Sequence, residues 1–358
     1  MKTNWLLEDI LLQPESLRRT ADYQFGEGWV ALNHAAEVLR SASHVILSGM
    51  GSSLCACIPL EYYLGSRGIP VATIESGELL HFRQRACHGA VVVLVSRSGE
   101  SVEIAKLLPL LKAQGVTIIG VTNEPEGRLA READHTIFVA SLVEHGVALQ
   151  TYVCTMATLL LLGAAVVSEL SEQWRRDLDD LAAALSSALA RMVPESEQWR
   201  SFFEKAPLIY LLARGPSLAS VMEGSILFNE VAKFPAVTEI ASSFRHGHIE
   251  VVDADFRGLV FASQKCTREI DLALARDLTL FGGQVRVVTP SPKASGTDRD
   301  DLSYWPVPST PEILAPLAEI ITLQVASYQL ARWRNVPPGE YRHVGPVILT
   351  EGEFEPVR

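Results

Sequence analysis

Basic residues are scarce in this sequence, and their scarcity excludes one class of partner. Of its 358 residues, 31 are Lys or Arg and 42 are Asp or Glu, which gives a formal net charge of −11. Proteins that bind nucleic acids need a basic patch facing the phosphates, and the sequence has no run of Lys and Arg residues. We therefore expect no nucleic-acid partner.

Cysteine is also scarce. The five cysteines are an odd number and are scattered along the chain, unlike the closely spaced, even-numbered sets of disulfide-rich secreted proteins. Cys55 and Cys57 are too close for a C-x-x-C redox pair, and no His is spaced with them as a metal site requires. We expect small buried thiols, a reducing cytoplasm, no metal and no cofactor.

No secretory signal is visible, because no basic segment followed by an apolar core opens the sequence. One apolar run, 151–170, approaches the length of a membrane span. It contains several Thr residues, however, and lies between two segments with α/β patterns. We predict a buried core or dimer-interface helix, a soluble protein and no membrane partner.

Short β-rich runs alternate with helical stretches. Hydrophobic residues make up 48% of the chain and charged residues 20%, as in a globular protein of two domains. The predicted strands are 44–48, 90–95 and 116–121, and the predicted helices include 54–64 and 102–114. This alternation predicts a parallel sheet covered on both faces.

The pattern then repeats in the second half of the chain. Three segments, 44–53, 92–104 and 115–122, have counterparts at 208–217, 259–270 and 282–289, in the same order and about 165 residues away. Three collinear matches indicate duplication of one α/β domain. The fold class is therefore α/β, with two tandem domains, each a doubly wound parallel sheet flanked by helices. The boundary falls in the polar helical region 170–205.

A serine-rich loop, 96-SRSGES-101, follows the second predicted strand. Loops at the carboxyl ends of parallel strands bind ligands, and helix N-termini and hydroxyls supply donors for an anion. A helix N-cap would explain one serine, but three hydroxyls surround Gly99. The loop therefore favours phosphate binding. It is neither a Walker loop nor a dinucleotide-binding loop, since no Gly-Lys-Ser/Thr follows and the third glycine of G-x-G-x-x-G is missing after Gly49.

The S-x-S-G-E-S/T loop, preceded by the Gly51-Ser52-Ser53 loop, resembles the sugar isomerase (SIS) domain. The order of motifs, and the opening segment 8-EDILLQPESLRRT-20, is similar to the isomerase half of glucosamine-6-phosphate synthase, a tandem of two SIS domains. The N-terminal glutaminase domain of that synthase is not in this sequence, so the resemblance extends to stand-alone phosphosugar isomerases, amino-sugar-phosphate deaminases and deglycases. It predicts a helical lead-in at 1–28, SIS domains at 29–180 and 195–340, and a tail at 341–358 that closes over the site.

The resemblance implies a set of substrate-binding residues in the first domain. The phosphate ligands would be Ser53, Ser96, Arg97 (through its main chain), Ser98 and Ser101. The family segment E-x-G-V-A-x-T-K appears as 144-EHGVALQT-151, which adds Val147 to the substrate-binding residues. Leu149 and Thr151 stand where that family has Ser and Lys.

The resemblance also implies the catalytic residues and a homodimer. The E-G-x-x-x-x-x-E helix of the family places the proton-transfer carboxylate at Glu230, and an H-G pair sixteen residues later places the ring-opening His at His246. That His is typically contributed across a dimer interface. The apolar residues around Glu230 predict partial burial and a raised pKa.

Two lysines of the synthase family are missing. Leu227 replaces the helix Lys that forms an imine with the ketose, and Gly345-Pro346 replaces the Lys of the tail. Lys233 is the nearest amine on the helix. The sequence therefore predicts isomerisation of a phosphosugar, or deamination or deglycation of a sugar-amine phosphate. The alternative is a non-catalytic phosphosugar-binding sensor.

Overall fold

The structure is a computed structural model that describes residues 5–290, 302–343, 345, 347–350 and 352. The chain divides into two compact units. The first unit consists of residues 15–179 with the described residues from 341 onward, and the second consists of the described residues up to 14 with those of 180–340.

The helices and strands alternate in both units. Helix α1 comes first, and α8 connects the two halves of the chain. In chain order, the elements up to α8 are α1 (Trp5–Gln24), α2 (Trp29–Ser41), β1 (Val45–Gly49), α3 (Ser52–Gly65), β2 (Val71–Glu75), α4 (Ser76–His81), β3 (Val91–Val95), α5 (Val102–Ala113), β4 (Thr117–Thr122), α6 (Arg128–Glu132), β5 (His135–Phe138), α7 (Gln150–Val166) and α8 (Glu172–Glu195).

The strands and the helices between them recur in this order after α8. They are α9 (Arg200–Phe203), β6 (Ile209–Ala213), α10 (Leu218–Ala232), β7 (Ala236–Ile240), α11 (Ala241–Phe244), β8 (Arg257–Phe261), α12 (Arg268–Leu280), β9 (Gln284–Thr289), β10 (Tyr304–Pro306) and α13 (Ala315–Trp333). Short 3-10 helices occur at Gln84–Cys87, Ser196–Trp199, Gly215–Ser217, His248–Val251 and Glu312–Leu314.

Each unit has one five-stranded parallel sheet. The strand order is β2-β1-β3-β4-β5 in the first unit and β10-β9-β8-β6-β7 in the second. Strands β6, β7, β8, β9 and β10 therefore take the places of β1, β2, β3, β4 and β5. The predicted fold class and the duplication are confirmed, and the three predicted strands lie within one residue of β1, β3 and β4.

The central strands are buried along their whole length, and mostly apolar, because helices cover both sheet faces. Every residue of β1, β3 and β8 is buried. Burial of β-branched residues on two faces is typical of parallel sheets, and it fixes the strand ends from which the loops emerge.

Two long apolar helices, α7 and α13, are core helices. Every residue of α7 is buried, as the sequence predicted for this run. Among the described residues, one helical segment, Glu312–Trp333, has the length and composition of a membrane span, and 94% of its apolar window is buried inside the protein. Core helices of globular proteins pass the same test.

Helix α1 contributes its N-terminal half to the second unit. The side-chain amides of Gln13 and Gln324 exchange two hydrogen bonds: Gln13 Nε2 lies 2.6 Å from Gln324 Oε1, and Gln324 Nε2 lies 2.9 Å from Gln13 Oε1. Both residues are buried, and a buried amide is stable only when its donors and acceptors are satisfied. This pair therefore fixes the start of the chain against α13.

Candidate functional site

The serine loop, residues 96–101, connects the buried strand β3 to helix α5. Gly99 has a φ of +67°, and a Cβ added there would lie 3.0 Å from the Cβ of Leu129. The Gly99 carbonyl accepts a hydrogen bond from the Leu129 N–H at 3.1 Å. Only glycine combines a positive φ with this close approach at little cost, so Gly99 sets the tight turn that the sequence predicted.

Helix capping does not occupy the donor O–H groups of the serine loop. Ser96 Oγ accepts from the Gly99 N–H at 3.1 Å, and Ser98 Oγ accepts from the Glu100 N–H at 3.2 Å. A hydroxyl that accepts one bond still has its own O–H to donate. Ser101 occupies the N-cap position of α5, but its side chain makes no capping hydrogen bond. A plain N-cap therefore does not account for these three serines.

The C-terminal tail meets the same helix end. The Val102 N–H, in the first turn of α5, donates to the carbonyl of Ile348 at 3.1 Å. A main-chain carbonyl here satisfies one of the unpaired donors at a helix N-terminus. The described part of the tail thus contacts the first turn of α5, directly after the serine loop.

Ser53 lies in the first turn of α3, after strand β1, which pairs with β3. The loop before it is tight, because a Cβ on Gly49 would lie 2.9 Å from the Ser53 carbonyl carbon and Gly51 has a φ of +51°. Since β1 and β3 are parallel neighbours, their carboxyl ends share one edge of the sheet. The topology thus places Ser53 and the serine loop at that edge.

Sequence reasoning missed a role for the Arg97 side chain. Its Nη1 donates to Glu144 Oε1 at 3.0 Å and to the Gly146 carbonyl at 2.7 Å. The Glu144 side chain is only 2% exposed, and that of Arg97 is 26% exposed. This ion pair ties the serine loop to segment 144–151. The available signal was an Arg inside the loop and an acidic residue just before a helix.

Glu144 also caps helix α7. Its Oε2 accepts from the N–H groups of Leu149, Gln150 and Thr151 at 3.1, 2.9 and 3.1 Å, and the Thr151 hydroxyl donates to Oε1. Thr151, at the position where the family has Lys, therefore supports the cap. Val147, in the same segment, is only 1% exposed.

The two predicted catalytic residues lie on different elements of the second unit. Glu230 is in the last turns of α10 and is half-buried, as predicted. His246 is exposed in the turn between α11 and the 3-10 helix His248–Val251. Its main-chain N–H donates to the Ser243 carbonyl at 2.8 Å. Gly247 follows with a φ of +112°, which allows the sharp reversal after His246.

The structure also accounts for the amines near Glu230. Leu227, at the position where the family has Lys, has an apolar side chain that is fully buried in the core and offers no amine. The Lys233 ammonium donates to the Glu230 carbonyl and, at 2.6 Å, to the Glu340 carbonyl. These two bonds hold the Lys233 side chain at the end of α10. Pro346, the tail position in which the family has Lys, lies outside the described residues.

In the described part of the chain, no three His, Cys, Asp or Glu side chains are grouped in a way that could hold a metal ion.

Comparison with known families decides the classification. The family model of the SIS domain matches the chain twice, at residues 38–168 and 202–332. The chain belongs to the SIS domain family. The two matches coincide with the two sheets, so each SIS domain supplies one five-stranded sheet and its helices.

Relatives of known sequence and structure extend over almost the whole chain. It is 25% identical to the glutamine–fructose-6-phosphate aminotransferase (isomerizing) of Pyrobaculum aerophilum, over 97% of this chain and 58% of that protein. The chain thus spans about three fifths of the length of the curated relatives it matches.

Solved structures share the fold. The C-terminal domain of glucosamine-fructose-6-phosphate aminotransferase from Francisella tularensis superposes with a TM-score of 0.83 at 22% identity, covering 92% of this chain and 96% of that one. A glucosamine-6-phosphate deaminase from Thermotoga maritima gives a TM-score of 0.75 at 17% identity, covering 96% and 99%.

The predicted site residues divide between the two SIS domains. The six predicted substrate-binding residues all belong to the first SIS domain, where the loops after β1 and β3 and the Arg97–Glu144 pair connect them. Glu230 and His246 belong to the second SIS domain.

Proposed function

We propose that this protein binds a phosphorylated sugar or amino sugar in its first SIS domain and transforms it. The reaction is aldose–ketose isomerisation, or deamination or deglycation of a sugar-amine phosphate. The observation that carries the proposal is the serine loop, where three hydroxyls and the N-terminus of α5 converge around Gly99 without forming a side-chain cap. The glutamine–fructose-6-phosphate aminotransferases among its relatives, and a glucosamine-6-phosphate deaminase of the same fold, support the same class of ligand.

The serine loop can bind phosphate through neutral hydrogen-bond donors. The hydroxyls of Ser96, Ser98, Ser101 and Ser53 can donate to phosphate oxygens, as can the N–H groups at the start of α5 other than that of Val102, which is bonded to Ile348. This mode of binding does not depend on net positive charge, which agrees with the acidic composition of the chain.

We assign the proton transfer between C1 and C2 to Glu230 and the ring opening to His246. A carboxylate acts as a general base when partial burial weakens its hydration, and Glu230 is half-buried at the end of an apolar helix. The exposed ring of His246 can be offered to a second copy of the chain, in accord with the expected homodimer. Cytoplasmic location is part of the same proposal.

The missing lysines favour a substrate that already carries nitrogen. Leu227 cannot form an imine, and the Lys233 ammonium is bonded to two carbonyl groups. A deaminase or deglycase acts on a sugar whose C1 or C2 already bears an amine, and water completes the release of that amine. The enzyme then needs no lysine imine to introduce nitrogen.

The same observation supports a second candidate, a phosphosugar-binding sensor without catalysis. A sensor would keep the serine loop and lose the reactive amines, which matches Leu227 and the engaged Lys233. Catalysis is preferred because Glu230 and His246 retain the spacing of the family.

Thermal shift and turnover separate these possibilities. Fructose 6-phosphate, glucosamine 6-phosphate and a fructosamine 6-phosphate adduct are screened against the wild type and Ser98→Ala, with exposed Ser41→Ala as the matched control. A ligand that binds the native state raises its Tm, and we expect that shift to vanish only in Ser98→Ala. No shift with any of the three compounds would refute phosphosugar binding.

Turnover is then measured with the compound that binds. Glu230→Gln is expected to lose at least about 100-fold in kcat, the usual contribution of a general base, while exposed Glu204→Gln retains activity. Binding without turnover by the wild type would identify a sensor.

A further inference from the structure

The second SIS domain has serines at the positions equivalent to those of the first. Strand β6 takes the place of β1 and β8 takes the place of β3. Ser217, which follows β6, therefore corresponds to Ser53, and Ser263, which follows β8, corresponds to Ser96. The second domain thus keeps hydroxyls at the sheet edge where the first domain presents its serine loop.

A side chain of the protein itself occupies this place. Glu319, in the second turn of α13, is fully buried. Its Oε1 accepts from the Ser217 hydroxyl at 2.8 Å, and its Oε2 accepts from the Ser220 hydroxyl at 2.7 Å. Ser217 and Ser220 lie at the N-terminus of α10, where the positive end of the helix dipole favours an acidic group.

Neighbouring polar groups complete the enclosure. Gln264 Nε2 lies 3.3 Å from Ser217 Oγ. Burial raises the pKa of the Glu319 carboxyl, and the hydroxyl of buried Ser263 is among the groups that lower it. The hydroxyls of Ser217 and Ser220 thus both donate to one carboxyl group.

We propose that the Glu319 carboxyl occupies, in the second SIS domain, the position that the ligand phosphate takes in the first. The second domain is therefore closed to a phosphorylated sugar, and each chain binds one. This inference rests on the proposed function for its ligand class. It explains how the Ser217 and Ser220 hydroxyls stay hydrogen-bonded without a ligand, although the duplicated loop 263–267 has lost the glycine and two of the serines.

Binding stoichiometry gives the first test. Titration of the wild type with glucosamine 6-phosphate in a calorimeter should give one site per chain. Ser98→Ala should abolish this site, and Ser217→Ala should leave both its number and its affinity unchanged. Two sites per chain, or loss of binding in Ser217→Ala, would overturn the inference and leave the proposed function standing. No binding by the wild type would refute the proposed function, and the next test then decides this inference alone.

Inorganic phosphate gives the second test, because it needs no knowledge of the sugar. Ser98→Ala removes the site of the first domain, and Ser98→Ala/Glu319→Ala also opens the position of the carboxyl. Sodium phosphate should raise the Tm of the double variant by several degrees more than sodium chloride of equal ionic strength. Neither Ser98→Ala nor Ser98→Ala/Glu319→Gln, which keeps that volume filled, should respond beyond the general salt effect. Equal responses of all three proteins would overturn the inference.

Discussion

Replacement of Glu144 by Ala should destabilise the first SIS domain strongly, because one buried carboxylate serves several partners. It accepts from three backbone N–H groups at the start of α7 and from the Thr151 hydroxyl, and it pairs with Arg97. Loss of an N-cap costs about 0.5–2 kcal/mol, and each buried donor left unsatisfied costs about 1–3 kcal/mol. Because the partners partly relax, we expect a total of about 3–5 kcal/mol, as for the broken pairs of buried ions.

Urea denaturation at pH 7.5 measures this loss. With a slope of about 3 kcal/mol/M, the midpoint of the first-domain transition should fall by about 1–1.7 M. Glu144→Gln keeps one acceptor for the helix N–H groups and should lose about 1–2 kcal/mol. The control Glu37→Ala removes an exposed carboxylate of α2 and should change the stability by less than about 0.5 kcal/mol. If Glu144→Ala costs no more than Glu37→Ala, the capping role is wrong.

Three further outcomes are expected. Burial raises the pKa of Glu319 above its usual 4.5, although the hydroxyls of Ser220, Ser263 and Ser217 lower it in part. The wild type should therefore lose stability relative to Glu319→Gln as the pH rises from about 4.5. If the difference in urea midpoint between the two proteins is the same at pH 5 and pH 8, this expectation is wrong. The native protein should react rapidly with a thiol reagent at one cysteine, the exposed Cys266. The other four should react only after unfolding, since they are buried and burial raises the pKa of Cys154 to about 11. Rapid modification of more than one cysteine per chain, measured by mass spectrometry, would refute this. Gly99→Ala forces a side chain into a positive φ and against Leu129. It should therefore lower the free energy of unfolding by about 1–2 kcal/mol and reduce the thermal shift by glucosamine 6-phosphate. The control Gly68→Ala, at a φ of +76° but with nothing within 4 Å, should lower the free energy of unfolding by a similar amount and leave the ligand shift intact.

The architecture was predictable because its signals are local and repeated. The buried strands β1, β3 and β4 are short runs rich in β-branched residues, and their counterparts recur in order after one domain length. Gly99 was identifiable as the turning point of the serine loop from its neighbours alone. These features depend on residues that are adjacent in sequence.

Two interactions were not predictable because they join residues distant in sequence. Arg97 and Glu144 are 47 positions apart, and Ser217 and Glu319 are 102 apart. An Arg in a loop and a Glu in an apolar helix each have many common explanations. Only the packing of α7 and α13 beside their sheets decides which serines and N–H groups those side chains reach.

The paired amides of Gln13 and Gln324 also constrain how the protein folds during its synthesis. These residues are 311 positions apart, so the N-terminal half of α1 has no partner there until α13 has left the ribosome. At about 5–20 residues per second, that interval is about 15–60 s. Throughout this period the apolar face of α1, with Leu6 and Ile10, remains exposed on the nascent chain. The second SIS domain can therefore reach its final packing only after translation of nearly the whole chain, and the start of α1 is a segment that a chaperone can bind in the meantime.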